Sequence, residues 1–275
     1  MTPALYVPLV TPFAADGGVA YDALETLARE VLADGADGLV ALGTTGEPGS
    51  LGEDERRRVA EVVGRVCRAA GARFVVGVGD GRRGLGEWAV VPDAALVTVP
   101  AFVRPGEAGV VAHFADVAAR SGVPLLAYHV PLRTGQPLTA RALRELAAIP
   151  GVTGVKYAAG GIDAETVDLL GNRPAGFDVL AGDDVFAPAL LALGATGLVT
   201  ASAHLDTAAW AKLAATGDRA LGHRLAARAA ALFREPNPTV IKAALHAQGR
   251  IPTPGVRLPL LPASPQALAG VRLGT

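Results

Sequence analysis

The sequence predicts a closed (β/α)₈ TIM barrel over residues 1–217, with residues 218–275 forming a C-terminal helical subdomain packed on it. Short apolar runs rich in β-branched residues recur eight times, helical patterns follow most of them, and the runs tend to end in small or polar residues. Such repetition marks βα units around a parallel sheet. A doubly wound open sheet would alternate similarly. The count of eight, and the lack of a nucleotide fingerprint in its proper context, favour the barrel.

Taken in order, the strand-like runs cover 5–10, 38–42, 74–78, 96–99, 125–128, 152–156, 178–181 and 197–200. Helical patterns cover 21–32, 53–70, 107–120, 139–148, 163–170, 186–193 and 207–215. Asp163, with Glu165 and Thr166 behind it, places an acceptor and an acid where the first N–H groups of a helix need partners. The third unit is an exception, because three glycines between Gly79 and Pro92 leave little room for a full helix. Beyond the eighth unit, 218–233 and 238–248 read as helices, with Asn237 as N-cap and Pro238 as first helical residue of the second.

Bulk properties narrow the partners. The net charge is −1, with 25 basic and 26 acidic residues mixed along the chain, so no basic face is set aside for nucleic acid and a small-molecule substrate is expected. Cys67 is the only cysteine, which excludes an intrachain disulfide and a cysteine-built metal site and suits a reducing cytoplasm. Met1-Thr2-Pro3 lacks the basic and continuously apolar stretch of an export signal. The uncharged run 185–203 approaches membrane-spanning length, but Pro188, Gly194 and Gly197 interrupt it, and it reads as a buried helix, a turn and a buried strand.

In a barrel the chemistry lies at the C-terminal strand ends. Polar residues there are Thr11, the loop Gly43-Thr44-Thr45-Gly46-Glu47, Asp80, Tyr128 with His129, Lys156 with Tyr157, Asp183 with Asp184, and Thr200 with Ser202 and His204. The only lysines are Lys156, Lys212 and Lys242, and Lys156 closes the apolar stretch Val152-Thr153-Gly154-Val155. An ammonium among apolar walls loses hydration, which favours the neutral amine that attacks a carbonyl. A lysine whose stem packs along the strand while its charge reaches water is the ordinary alternative. Strands five and six are neighbours, so Tyr128 would share the mouth with Lys156 and could shuttle protons beside an imine. Thr44 and Thr45 supply hydroxyls, and the loop from Gly43 can aim backbone N–H groups at a carboxylate.

The motifs GTTGE at 43–47, YHVPLRTG at 128–135, GVKYAAG at 154–160, AGDD at 181–184 and EPNP at 235–238 resemble the dihydrodipicolinate synthase and N-acetylneuraminate lyase family. VPLVTPF at 7–13 and RLP at 257–259 match it too, so the likeness runs in order along nearly the whole chain. The resemblance implies a class I lyase or aldolase: a 2-oxo acid such as pyruvate forms a Schiff base on Lys156, then condenses with an aldehyde, or the reverse. It further implies proton transfer by Tyr128 and Thr44, carboxylate binding by Thr45 with Gly43, and Arg133 on a carboxylate of the second substrate. Thr200 joins the substrate-binding set from its strand end. Neither metal nor organic cofactor is implied, and a homo-oligomer, tetramer or dimer, is.

Departures from the family pattern bear on the substrate. Family synthases carry a tyrosine pair after the fourth strand, and the second reaches into a neighbouring subunit's site as part of a proton relay. Here those positions read Ala101 and Phe102, so no hydroxyl remains. Tyr157 stands where the family has Glu and His129 where it has Asn; by proximity in sequence, Tyr157 is the candidate replacement for the missing hydroxyl. The resemblance is therefore to the family as a whole: a synthase-like condensation with an aldehyde is the first expectation, and the missing hydroxyl counts against the lysine-pathway reaction itself. A 2-keto-3-deoxy sugar-acid aldolase or dehydratase is the alternative within enzymes, and a non-catalytic 2-oxo acid binding or assembly protein is the alternative outside them.

Two further patterns are decoys. GDGRRG at 79–84 spells a dinucleotide fingerprint after a strand, but no full helix follows and no acidic residue ends the next strand. Asp183 and Asp184 with His129 and His204 resemble a metal-ligand set, yet paired aspartates at a strand end more often cap the following helix. Ser202 lacks a nucleophile-elbow motif.

Overall fold

The computed structural model describes residues 3–82, 85–86 and 88–271. In chain order it contains β1 (Ala4–Pro8), α1 (Tyr21–Ala33), β2 (Gly38–Ala41), α2 (Glu53–Ala70), β3 (Arg73–Gly77), β4 (Ala94–Thr98), α3 (Gly106–Arg120), β5 (Leu125–His129), α4 (Pro131–Thr134) and α5 (Ala140–Ala147). There follow β6 (Val152–Tyr157), α6 (Ala164–Gly171), β7 (Asp178–Ala181), α7 (Ala187–Ala192), β8 (Gly197–Val199), α8 (Ala203–Thr216), α9 (Arg219–Leu232), α10 (Thr239–Ala247) and α11 (Pro265–Ala269). The strands pair in parallel, β1 through β8 in sequence, and β8 returns to β1 to close the barrel.

Because successive strand residues face opposite ways, each strand feeds two cores. Val40, Val75, Leu96, Leu126, Leu180 and Val199 fill the barrel interior, whereas Leu39, Val76, Val97, Ala127, Val155 and Val179 pack outward against the helices. The interior fits because glycines stand beside large neighbours: a Cβ on Gly38 would lie 2.8 Å from Tyr6 Cδ1, and one on Gly197 2.8 Å from Leu180 Cδ2. Helix α1 buries Leu24, Leu27, Ala28 and Val31, the spacing of a single face. Each fully buried leucine or valine contributes roughly 1.5–3 kcal/mol.

The expected caps hold in part. Asp163 accepts a 2.9 Å bond from Thr166 N and starts α6. Asn237 does not cap α10: Pro238 occupies that position, without a side-chain bond, and the Asn237 amide donates instead to Thr45, far away in sequence. Helix α8 begins earlier than its pattern and breaks at Asp206, whose φ of −145° and ψ of 44° are not helical, so only its regular part was legible. Between β3 and β4 the described residues contain no helix. In the fingerprint-like stretch, Asp80 pairs with Arg82 at 3.2 Å in a solvated turn, while Arg83 and Gly84 lie outside the described residues.

After the barrel, α9 packs on α7 and α8, α10 on α8, and α11 on α9 and α10. The uncharged run divides into α7, the turn at Gly194 and β8. Among the described residues no helix is long and apolar enough to cross a membrane.

Candidate active site

Thr98, Tyr128, Lys156 and Leu180 are register partners across β4, β5, β6 and β7, and so share one interior layer near the C-terminal rim. Lys156 and Tyr128 are both buried, and the Lys156 Nζ stands 4.3 Å from the centre of the Tyr128 ring. Gly182 makes room for the lysine stem: a Cβ there would come within 2.6 Å of Lys156 Cγ. Among the described residues Lys156 forms no ion pair.

Lys242 is the other buried lysine, and its surroundings are different. Its Nζ donates to Glu47 Oε1 at 2.8 Å and to Thr11 O at 2.9 Å, with the Phe13 ring centre 3.9 Å away. Burial pushes its pKa down to about 8, against the opposing pull of Glu47.

A cavity of about 450 Å³ opens over this layer, lined among others by Gly43, Thr44, Thr98, Tyr128, Arg133 and Asn237. Its rim loop makes a single helical turn, Thr44–Gly46, whose first N–H groups have no intrahelical acceptor. Three segments hold that loop. Thr11 Oγ1 donates to Gly46 O at 2.7 Å, Asn237 Nδ2 to Thr45 Oγ1 at 2.9 Å, and Arg257 N to Glu47 Oε2 at 3.0 Å. Of the expected site residues, Gly43, Thr44, Tyr128 and Arg133 therefore share one cavity, with Lys156 against Tyr128. Thr45 is buried behind the loop with its hydroxyl turned to Asn237, and Thr200 is fully buried with a hydroxyl that has no partner among the described residues.

Tyr157 is not the replacement for the missing relay hydroxyl. One residue past Lys156 on β6, it points out of the barrel, and its hydroxyl bonds Thr166 Oγ1 at 3.0 Å at the start of α6. His129 packs beside it, 5.4 Å between ring centres, and burial pushes its pKa down to about 4. His204 uses both nitrogens on backbone, Nδ1 with Ala201 O at 2.7 Å and Nε2 accepting from Val10 N at 3.2 Å. Asp184, raised to about 6 by burial, accepts a 2.6 Å bond from Ser202 N. Among the described residues no group of three or more His, Cys, Asp and Glu side chains converges as a metal would require. Phe102 is 96% exposed at a φ of +71°, tied to α4 by a 3.1 Å bond from its N–H to Thr134 O.

Asn237, Lys242, Arg257, Thr98 and Gly182 were not singled out for the site from sequence. The motif matches around EPNP and RLP were the available signal for Asn237 and Arg257; Lys242 sits at an ordinary helical position and had none.

Residues 2–272 match the model of the dihydrodipicolinate synthetase family. The chain belongs to that family. The 4-hydroxy-tetrahydrodipicolinate synthase of Neisseria meningitidis serogroup B is 34% identical over 281 residues, covering 97% of this chain and 95% of that protein. The Pseudomonas aeruginosa enzyme of the same name is also 34% identical, over 94% and 92%. Among solved structures, the chloride-inhibited dihydrodipicolinate synthase from Acinetobacter baumannii, complexed with pyruvate, superposes with a TM-score of 0.89 at 31% identity, covering 99% of this chain and 97% of that one. A monomeric dihydrodipicolinate synthase variant gives a TM-score of 0.90 at 26% identity, over 98% and 94%. As a member of the dihydrodipicolinate synthetase family, the protein is an enzyme, a class I lyase of the lysine Schiff-base type.

Proposed function

We propose that Lys156 is the Schiff-base lysine and that pyruvate, or a close 2-oxo acid, is the ketone it captures. The contrast between the two buried lysines carries the reading: the Lys242 amine is bound to a carboxylate, while the Lys156 amine faces an aromatic ring beside an open cavity. The neutral amine adds to the C2 carbonyl, and loss of water leaves a protonated imine. Removal of a C3 proton then gives an enamine, which attacks an aldehyde; hydrolysis of the new imine returns the amine. In this scheme Tyr128 and Thr44 move the protons, while the N–H groups of the Thr44–Gly46 turn, Gly43 and Thr45 hold the 2-oxo acid carboxylate. Arg133, exposed at the rim on α4, offers a planar fork to a carboxylate on the second substrate. Thr200, one residue past β8, completes the substrate-binding set with a hydroxyl that has no partner among the described residues.

Condensation with an aldehyde, as in a 4-hydroxy-tetrahydrodipicolinate synthase, is the first reading. Cleavage or dehydration of a 2-keto-3-deoxy sugar acid is the second, favoured by the lack of a hydroxyl at the exposed Phe102. Phe102, Val103 and Leu132 are large apolar side chains left largely in solvent on the β4–α3 loop and α4, and support a homo-oligomer, dimer or tetramer, through this rim. The division at residue 218 and a cytoplasmic location complete the proposal.

Borohydride reduction in the presence of pyruvate, followed by peptide mass analysis, tests it. The expected adduct is on Lys156; labelling of Lys242 or Lys212 instead, or no label with several 2-oxo acids, sinks it. A panel of aldehydes and keto-deoxy acids separates the two readings.

A further inference from the structure

We infer that the Lys242–Glu47 ion pair positions the loop bearing Thr44 and Thr45, so that the C-terminal extension forms part of the proton-transfer apparatus. The inference rests on the reading of Lys156, Tyr128 and Thr44 given above.

Glu47 occupies a difficult place. Its φ of +54° and ψ of 42° lie in the left-handed region, which a residue with a Cβ adopts only when its surroundings hold it there. Its N–H donates to Thr44 O at 3.2 Å, so the backbone of Glu47 closes the turn that carries both threonines. Both carboxylate oxygens are engaged, Oε1 by Lys242 Nζ and Oε2 by Arg257 N, and both groups come from the C-terminal extension. The side chains of Lys242 and Glu47 are 0% and 2% exposed. Lys242 also reaches Thr11 O, and Thr11 Oγ1 reaches Gly46 O, which brings the β1 loop into the same cluster.

A buried ion pair is a poor source of stability compared with apolar residues of equal volume, but it fixes register, and removal of one partner strands the other charge. A stranded Glu47 carboxylate would have to swing to water. Because Glu47 is hydrogen-bonded to Thr44, that movement draws the turn away from Tyr128. Lys156 lies on the other side of the barrel mouth, on β6, so its amine keeps its place; a displaced turn holds the pyruvate carboxylate less tightly, but the imine still forms once pyruvate is saturating. With pyruvate saturating, the pair therefore acts through Thr44 on the proton transfer after capture, and Lys242 and Glu47 are positioning residues, not catalytic ones.

Exchange of the pyruvate methyl hydrogens with deuterium from D₂O reads that step without any knowledge of the aldehyde. Lys242→Met and Glu47→Gln are compared with the parent and with the double variant, each checked for fold by circular dichroism and each reduced with borohydride in the presence of pyruvate. The expected result at saturating pyruvate is adduct at Lys156 close to the parent in every variant, with a higher pyruvate concentration needed to reach it in the single variants. Methyl exchange should fall roughly tenfold or more in Lys242→Met and recover in large part in the double variant, where no charge is stranded. Glu47→Gln keeps an acceptor for one of the two donors and turns an amide NH₂ to the other; it is the milder change should Lys242→Met fail to fold, and should lose exchange by a smaller factor. A folded single variant that exchanges as fast as the parent overturns the inference, and so does a double variant no better than Lys242→Met. Absence of the Lys156 adduct in the parent would instead overturn the assignment of the Schiff-base lysine.

Discussion

Lys156 and Tyr128 face one another across β5 and β6 as register partners, and the amine lies 4.3 Å from the centre of the phenol ring. The ring therefore walls the amine from water on one side, while its hydroxyl, which makes no hydrogen bond among the described residues, can serve the adduct. The packing function belongs to the ring; the proton-transfer function belongs to the oxygen, and the two are separable.

Replacement of Tyr128 by Phe separates them. The ring keeps its place against Lys156, so the pyruvate adduct should form to near the parent yield, whereas methyl-hydrogen exchange and turnover should fall by roughly 10²-fold or more, the usual worth of a positioned acid–base group. Equal loss of adduct and exchange would show that Tyr128 acts only as a wall.

The barrel was legible in the sequence because strands buried on both faces read as unbroken apolar runs, as Phe74-Val75-Val76 does, and because small residues stop them. The pairing of Tyr128 with Lys156 was legible for the same reason: consecutive parallel strands in a closed barrel are neighbours. Tyr157 shows the limit. Adjacent residues on a strand face opposite sides, so nearness to Lys156 in sequence placed it outside the mouth. Asn237 shows another, since the local rule for a helix start lost to Thr45, 192 residues away in the chain. Nothing local marks Lys242, whose partner becomes visible only when α10 is laid beside the mouth.

The buried histidines make folding stability depend on pH. His129 has its pKa pushed from 6.5 to about 4 by burial. Above pH 6.5 it is neutral folded or unfolded and contributes nothing. As pH falls below that value the unfolded chain gains a proton that the folded chain refuses, so stability declines, by about 3 kcal/mol in all near pH 4. His204, also pushed to about 4, acts in the same direction. Asp184, raised to about 6, acts in the opposite one: the folded chain keeps its proton while the unfolded chain has lost it, so between about pH 6 and 4 acidification returns stability. Replacing His129 with Phe removes one downward contribution. Urea unfolding followed from pH 7 to pH 4 should show a shallower decline in the variant; a parent–variant difference that stays constant across that range would show that His129 does not titrate as described.

Gly182 offers the most direct test of how the amine is aimed. A Cβ at this position would lie 2.6 Å from Lys156 Cγ and 2.7 Å from Cε, far inside normal contact, and the stem it meets is enclosed, not a loose end in solvent. The φ of Gly182 is not in the left-handed region, so alanine is excluded by the lysine and not by the backbone. Gly182→Ala must therefore displace Lys156 from the Tyr128 face, at an overpacking cost of about 1–3 kcal/mol. Borohydride-trapped adduct should drop roughly tenfold or more, because a reacting atom misplaced by about 1 Å can cost 10²-fold. Gly161→Ala, in the loop between β6 and α6 with open space around its Cβ, is the matched control and should leave the adduct unchanged. If Gly182→Ala folds and traps pyruvate as the parent does, the lysine has an alternative path to the ketone and the narrow seat formed by Gly182 and Tyr128 is not what directs it.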